Sequence, residues 1–404
     1  MRGGHKMNIE EMKKLSKKYD TPLYVFDISM VKERVELIRD MLPAQTKLCY
    51  AVKANPFLIP YIYRLVDRLE VCSPGEYEIC IRNNVPPDMI VVSGVSKTYD
   101  QMKRVFSYSQ GRGHYTVESK ENYRVLKKCA DESGVKINVL LRLSANNQFG
   151  MDEETFCEVL KQIIQDDNME LSGIHYYAGT QKKAKKFLSE LDYLEQFAKG
   201  LSDEYGIEIA ELEYGPGLMV SYFANETDKA KDEAKPNEQL CILSERLRLL
   251  DGYDFLTIEL GRFLVSECGY YFTHITDVKQ TGDTGYLIVD GGIHQLNYYG
   301  WMMGMKQPYV KQPHKREGVG YGKWTICGSL CTVNDVLARD VDLSEPVIGD
   351  VLVFEKCGAY SVTEGMALFL SRELPQILVI DDDRKVTKLR GIIQTNILNS
   401  EMEE

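Results

Sequence analysis

Lys53 closes an apolar run, Lys47 to Val52, and is followed by Ala54-Asn55-Pro56. A lysine at a strand end, ahead of a small residue and a proline stop, can turn its amine into a pocket rather than into water. Burial there lowers an amine's pKa, which suits it to form a Schiff base with an aldehyde. A lysine that merely ends a strand is the commoner case, so the weight comes from the residues downstream. In Glu213-Tyr214-Gly215-Pro216-Gly217 the glycines let backbone N–H groups approach an anion closely, although such a pair alone is as readily a tight turn. Glu259-Leu260-Gly261-Arg262 sets a carboxylate beside a guanidinium, either as a domain-junction salt bridge or with a sharper use. Toward a phosphorylated aromatic aldehyde, Glu259 could keep a pyridine nitrogen protonated while Arg262 reaches the phosphate.

These residues need a frame, and the chain supplies a repeating one. After Asp27, short apolar or β-branched runs alternate with longer helical stretches. Strands are expected over 46–52, 69–72, 89–93, 114–117, 137–143, 171–177, 211–214 and 255–259. Helices are expected between them, over 74–83, 119–133, 153–165 and 182–205. Eight alternations in about 230 residues predict an α/β fold, a closed (β/α)₈ TIM barrel over residues 28–262. Beyond Arg262 the helical period fades, and 265–280, 285–290, 323–326, 350–354 and 376–380 read as strands. A C-terminal β domain is expected over 263–404, joined by the N-terminal stretch 7–27 with its strand-like Pro22–Phe26. Met1 to Lys6 are read as an expression remnant ahead of Met7, and the acidic tail Glu401–Glu404 is expected to fray. In such barrels chemistry sits where strands end, and the strand ends here are Lys53, Ser73, Glu118, Arg142, Tyr177, the Gly-Pro-Gly loop and Glu259.

A formal net charge of −11 argues against a nucleic-acid or anionic-membrane surface. No apolar run approaches a membrane span and the N-terminus has no signal-like core, so a cytoplasmic protein is expected. The 10 cysteines include no CxxC pair and no histidine at zinc spacing, so no metal is expected and reduced thiols are the default. Cys331 stands apart, in a Gly328-Ser329-Leu330-Cys331 loop whose composition favours exposure.

Seven motifs then fall in one order: Tyr50-Ala-Val-Lys-Ala-Asn55, His175-Tyr-Tyr-Ala-Gly-Thr-Gln181, the Gly-Pro-Gly loop, Glu259-Leu-Gly-Arg262, Val289-Asp-Gly-Gly292, Cys331-x-x-x-Asp335-Val-Leu-Ala-Arg-Asp340 and Gly358-Ala-Tyr360. Together, from Thr21 to Leu378, they resemble the pyridoxal-phosphate decarboxylases of the diaminopimelate, ornithine and arginine type, with an alanine-racemase-like fold. The resemblance implies that Lys53 holds pyridoxal 5'-phosphate as a Schiff base, that Gly215, Gly217, Arg262 and Tyr360 bind its phosphate, and that Glu259 faces the ring nitrogen. It implies further that Tyr177 and Thr180 lie at the cofactor. Cys331, from the other subunit of a head-to-tail homodimer, would return a proton to the substrate carbon once carbon dioxide has left. Asp335 shares its loop, and Asp290 is placed near the substrate. The substrate amine would displace Lys53, and a carboxylate held perpendicular to the ring would leave into its π system.

Three departures bear on the substrate, implied to be a small amino acid. Tyr177 stands where the family's stacking histidine is expected; a tyrosine still stacks. Thr332 follows the cysteine where an acidic residue normally pairs with the substrate's distal ammonium, and a threonine cannot neutralise a buried cation. Gln295-Leu-Asn-Tyr-Tyr-Gly-Trp301 replaces a segment that carries an arginine in diaminopimelate decarboxylases. These changes point to a substrate whose far end is neutral or acylated, such as an amide or a carrier-linked thioester, as in siderophore and secondary-metabolite decarboxylases. The alternative is a diaminopimelate, lysine or ornithine decarboxylase in which Asp335 or Glu364 has taken over recognition. An amino-acid racemase is a further alternative, against which Glu259 and the cysteine loop both argue. A non-enzymatic pyridoxal-phosphate carrier and a cofactor-free aldolase-like barrel complete the rival readings.

Overall fold

The computed structural model describes residues 6–225, 235–298, 306–316 and 320–401. The described residues divide into two compact units, one within 35–220 and 235–263, the other within 6–34, 221–225, 264–298, 306–316 and 320–401.

In the first of these, eight strands close into a parallel barrel: β2 (Thr46–Ala51), β3 (Arg68–Val71), β4 (Ile90–Val92), β5 (His114–Val117), β6 (Ile137–Arg142), β7 (Met169–Tyr177), β8 (Glu211–Gly215) and β9 (Phe255–Leu260). Closure is made by β9 pairing with β2, from Thr46↔Leu256 to Tyr50↔Leu260. Helices follow the strands because each connecting loop ends on a side chain that caps the next helix. Ser73, Thr98, Ser119 and Asp152 accept hydrogen bonds from the third amide of the helices Pro74–Arg82, Tyr99–Ser109, Lys120–Ser133 and Glu153–Ile164, satisfying donors that a helix start leaves orphaned. Ser73, one of the strand-end residues, is therefore also a helix cap. Inside the barrel, Cys49, Val91 and Leu140 form a fully buried apolar cluster from β2, β4 and β6, one layer contributed by alternate strands.

The other unit is a mostly antiparallel sheet in the order β14-β13-β11-β10-β1-β16-β17. Its strands are β1 (Leu23–Asp27), β10 (Gly269–Thr281), β11 (Thr284–Val289), β13 (Tyr321–Cys327), β14 (Val336–Ser344), β16 (Gln376–Ile380) and β17 (Val386–Arg390). Off this path lie β12 (Val310–Lys311) and β15 (Val351–Glu355), which pair with each other, and β15 also pairs with β10. Its core gathers Met12, Leu23, Val25, Phe272, Val353 and Leu378, each at most 1 % exposed. The earliest strand is central: β1 lies antiparallel to β10 and parallel to β16.

Two expectations shift here. The run beginning at Val265 starts as a helical turn, Arg262–Val265 and then Ser266–Cys268, and becomes a strand only at Gly269; a short apolar run does not distinguish the two by period. Strand β14 was not foreseen, because its run of buried Val336, Leu337 and Ala338, then Val341 and Leu343, continues directly from the cysteine motif. The acidic tail beyond Glu401 and Tyr299 to Trp301 lie outside the described residues.

Candidate active site

Lys53 sits in the single 3₁₀ turn Val52–Ala54 that ends β2. The turn is fixed by Asn55, whose side chain accepts from the Phe57 amide at 3.1 Å and whose carbonyl accepts from the Tyr50 hydroxyl at 3.0 Å. That geometry sends the Lys53 ammonium into the barrel mouth. It donates to Glu70 Oε2 at 2.8 Å, lies 3.6 Å from Glu259 Oε1 and 3.6 Å from Cys72 Sγ, and stands 5.7 Å from the centre of the Tyr177 ring. Its side chain stays 32 % exposed, so the amine is both reachable and framed by carboxylates.

Side chains alternate along each strand, and the inward series here carries charge. Glu259 on β9 receives His175 Nε2 from β7 at 3.2 Å. Burial alone would raise the Glu259 pKa, but Lys53, the His175 hydrogen bond and Arg142 outweigh it and hold the carboxylate below its usual range. Below it, Arg68 on β3 makes a two-point pair with Glu211 on β8, at 2.6 and 3.0 Å, and reaches Glu213 at 3.1 Å. Glu213 is fully buried, and burial pushes it up to about 8 despite Arg68, with Glu211 and Glu259 adding to the rise. Burial thus disfavours the charged form of Glu213, while Arg68 pairs with Glu211 and Lys53 lies between Glu70 and Glu259. Cys72 is pushed well up by burial and the Glu70 charge, which leaves a thiol rather than a nucleophilic thiolate. On the far side of the barrel Arg142 pairs with Glu118 at 2.8 Å, and the buried Lys97 donates to the Gly94 carbonyl and Thr116 Oγ1.

The glycine loop is packed against the end of β7. A Cβ on Gly215 would lie 2.4 Å from Tyr177 Cδ2, and one on Gly217 would lie 2.1 Å from the Gly179 carbonyl oxygen. Gly217 also has φ +59, so only glycine fits there without strain. Gln181 clamps the two segments by exchanging hydrogen bonds with both backbone groups of Val220, at 2.7 and 2.8 Å. Thr180 lies half-buried between Gly179 and that clamp, and Arg262 opens the helical turn after β9, also half-buried.

The remaining expected site residues lie in the sheet unit. Cys331 is exposed and Val333 beside it is 92 % exposed. Asp335 is 2 % exposed and shapes their loop: Oδ1 accepts from the Ile293 amide at 2.8 Å and Oδ2 from the Leu330 amide at 2.7 Å. Tyr360 is half-buried at φ +65, a left-handed conformation costly for a non-glycine residue. Gln295 is committed internally, accepting from the Tyr271 hydroxyl at 2.7 Å and donating to the Glu373 carbonyl at 2.6 Å.

Asp290 is likewise occupied by its own unit. It accepts from Thr21 Oγ1 at 2.6 Å, from the His274 amide at 2.9 Å and from Thr273, with His274 Nδ1 at 2.8 Å. Burial alone would raise its pKa, but hydrogen bonds from His274, Thr21 and Thr273 lower it, while the bond to Asp290 raises that of His274. The depressed carboxylate stabilises the fold above about pH 4 and loses that effect as pH falls; the raised imidazole stabilises it below about pH 6.5 and loses that effect as pH rises. Asp290→Asn is expected to cost about 1–2 kcal/mol, with the largest Tm difference from the parent between about pH 4.5 and 6.5. A difference independent of pH would refute the coupling.

With this geometry in place, similarity to known proteins becomes interpretable. Residues 28–266 match the family described as "Pyridoxal-dependent decarboxylase, pyridoxal binding domain". The chain belongs to this family. It is a pyridoxal-phosphate-dependent amino-acid decarboxylase, and the matched segment spans the barrel. The chain is 25 % identical over 407 residues to a diaminopimelate decarboxylase of Aquifex aeolicus, covering 94 % of this chain and 91 % of that one. It is 24 % identical over 387 residues to the 2-[(L-alanin-3-ylcarbamoyl)methyl]-2-hydroxybutanedioate decarboxylase of Staphylococcus aureus, covering 90 % and 94 %. It is 25 % identical over 415 residues to the L-glutamyl-[BtrI acyl-carrier protein] decarboxylase of Niallia circulans, covering 95 % of each. The fold matches that of diaminopimelate decarboxylase from M. jannaschii in complex with L-lysine at a TM-score of 0.85, with 22 % identity and 100 % and 99 % coverage.

The donor set of this decarboxylase fits pyridoxal phosphate. A reachable amine lies beside an ionised buried carboxylate, an aromatic ring flanks both, and a glycine seat admits no side chain. Reading the sequence alone missed Glu70, and named His175 and Glu213 only as members of motifs, without a role. Glu70 had a signal, a carboxylate enclosed by Leu69 and Val71 within an apolar strand.

Proposed function

We propose that this decarboxylase removes the α-carboxylate of an amino acid or amino-acid conjugate whose far end is neutral or acylated. The observation that carries the reading is the cysteine loop. Thr332 follows Cys331, and each oxygen of Asp335 already accepts a backbone amide. The carboxylate of that loop is buried and turned onto its own backbone rather than toward a distal ammonium, and an unpaired buried ammonium costs several kcal/mol, of the order of 3–5. The Staphylococcus aureus and Niallia circulans relatives, whose names denote a carbamoyl-linked and a carrier-linked substrate, support the same reading.

In this reading the residues divide the work as follows. Bound pyridoxal phosphate supplies a cationic aromatic ring that takes up the electron pair left by departing carbon dioxide. Lys53 Nζ anchors the aldehyde, and Glu70 Oε2 accepts and returns the proton that Nζ exchanges. Glu259 sets its charge against the ring nitrogen, and His175 Nε2 fixes the orientation of that carboxylate. Tyr177 provides the aromatic face, while Thr180, Gly215, Gly217, Arg262 and Tyr360 hold the phosphate. Cys331 Sγ delivers a proton to the substrate carbon from a second copy of the chain. A homodimer is supported by the sheet unit's exposed apolar surface. Leu368, Phe369 and Leu370 are 44, 43 and 48 % exposed, and Ile397 and Leu398 are 58 and 50 % exposed. The two segments are joined by the Asn399 side chain donating to the Leu368 carbonyl at 2.7 Å. A patch of this kind on a soluble protein marks an interface.

Release of carbon dioxide from matched substrates tests the assignment. Free lysine, ornithine and meso-diaminopimelate are expected to turn over with kcat/KM at least about 100-fold below that of amide- or carrier-linked amino acids, the scale of about 3 kcal/mol. Brisk turnover of any free diamino acid would overturn the reading and make another carboxylate, such as the exposed Glu364, the recognition group.

A further inference from the structure

The segment that ends β7 carries a second lysine which the reaction as described does not use. Lys182 is buried, its side chain 7 % exposed. Its ammonium donates to Glu190 Oε2 at 2.6 Å and to the Gly215 carbonyl at 3.1 Å. It lies 5.2 Å from the Tyr214 ring centre and 6.0 Å from that of Tyr177. Tyr177 therefore has an ammonium within about 6 Å on each of two counts, Lys53 at 5.7 Å and Lys182 at 6.0 Å. The Lys182 backbone amide donates to the Gly217 carbonyl at 2.8 Å, and its carbonyl accepts from Gln239, which also binds the Met219 amide. Lys182 thus touches both glycines of the loop, one through its side chain and one through its backbone.

Its counter-charge is held by further partners. Glu190 is 4 % exposed and accepts from Tyr214 Oη at 2.6 Å, while Lys186 approaches its other oxygen at 3.6 Å. Lys186 is 62 % exposed and screened by solvent, so the buried pair beneath the loop is Lys182 with Glu190. Of that pair it is the ammonium that reaches the loop, through the Gly215 carbonyl at 3.1 Å, and a buried charge acts on a neighbouring ligand with little screening.

We propose that Lys182 is a positioning residue of the phosphate seat, a second cation that holds the Gly215–Gly217 loop from beneath and favours a dianion upon it. The proposal rests on the reading of that loop as the phosphate seat. A purely structural ion pair would support the loop equally for any ligand. A field-setting cation instead discriminates between ligands that carry the phosphate and those that lack it.

The test compares affinities of the full chain, stripped of cofactor, for pyridoxal 5'-phosphate and for pyridoxal, followed by absorbance. Lys182→Met is expected to weaken binding of the phosphorylated form about tenfold and that of pyridoxal less than about twofold, with Lys182→Arg restoring most of the difference. Parallel losses for both ligands in Lys182→Met would overturn the proposal. Arg262→Met separates the premises. If it too leaves the ratio unchanged, the phosphate seat itself is misplaced; if it changes the ratio while Lys182→Met does not, only the role of Lys182 falls.

Discussion

Lys53→Ala is expected to lower kcat by on the order of 10⁴-fold or more and to abolish the long-wavelength absorbance of the lysine-bound cofactor. In the parent enzyme, borohydride should bleach that band and leave the label on the peptide containing Lys53. The size of the effect follows from two losses at one atom. The amine that anchors the aldehyde disappears, and Glu70 and Glu259 lose the ammonium that lies 2.8 and 3.6 Å from them. Lys53 is the foremost group lowering the Glu259 pKa against burial, so its removal lets that carboxylate take up a proton at higher pH. Lys53→Arg separates the two losses, because it retains the charge yet cannot condense with an aldehyde. Equal inactivity of the two variants, with tighter noncovalent cofactor binding in the arginine form, is the expected pattern. An alanine variant retaining a tenth of the parent activity would show that the chemistry lies elsewhere.

Mixing two inactive forms should restore activity. Cys331→Ala removes the proposed proton donor and is expected to lower decarboxylation by about 10²–10³-fold. If Cys331 serves the site of a second copy, a dimer pairing a Lys53→Ala chain with a Cys331→Ala chain carries one site with both defects and one with neither. Random exchange makes half the dimers hybrid, so an equimolar mixture should recover about a quarter of the parent activity. The exposure of Cys331 and of Val333 beside it is what makes delivery in trans reasonable. Recovery no greater than the sum of the two separate forms, under conditions where chains exchange, would place the cysteine in its own chain's site or outside catalysis.

The barrel was legible because its signals are local. The strands follow one another as short apolar or β-branched runs, and longer helical stretches separate them. Lys53, Glu259 and the glycine loop were legible because they lie at strand ends, where a polar residue has no packing reason to follow an apolar run. The polar interior was not. Arg68, His175, Glu211 and Glu213 sit within strands and meet only when the barrel closes, with Arg68 and Glu211 143 residues apart in the chain. No local pattern reports such a meeting. Glu213 was legible as part of a loop motif, yet its raised pKa depends on burial and on neighbours that the sequence does not place. Asp290 fell in a recognisable motif and Gln295 in a segment that departs from the family pattern, but their partners, Thr21 and Glu373, come from distant segments of the sheet unit. Strand β14 was obscured because its buried run abuts the Cys331 loop and was read as part of it.

The central place of β1 has a consequence for biosynthesis. Its two neighbours are β10, starting at Gly269, and β16, starting at Gln376. As the polypeptide leaves the ribosome, residues 23–27 emerge first and one of their edges must wait for about 350 further residues. Barrel strands, apart from the closing β2–β9 pair, find their neighbours within a few tens of residues and can assemble during elongation. Any nascent product halted before residue 376 exposes the apolar β1 along one side, a template for pairing with other chains. Stop codons placed late in the message should therefore yield aggregates rather than a shortened soluble enzyme.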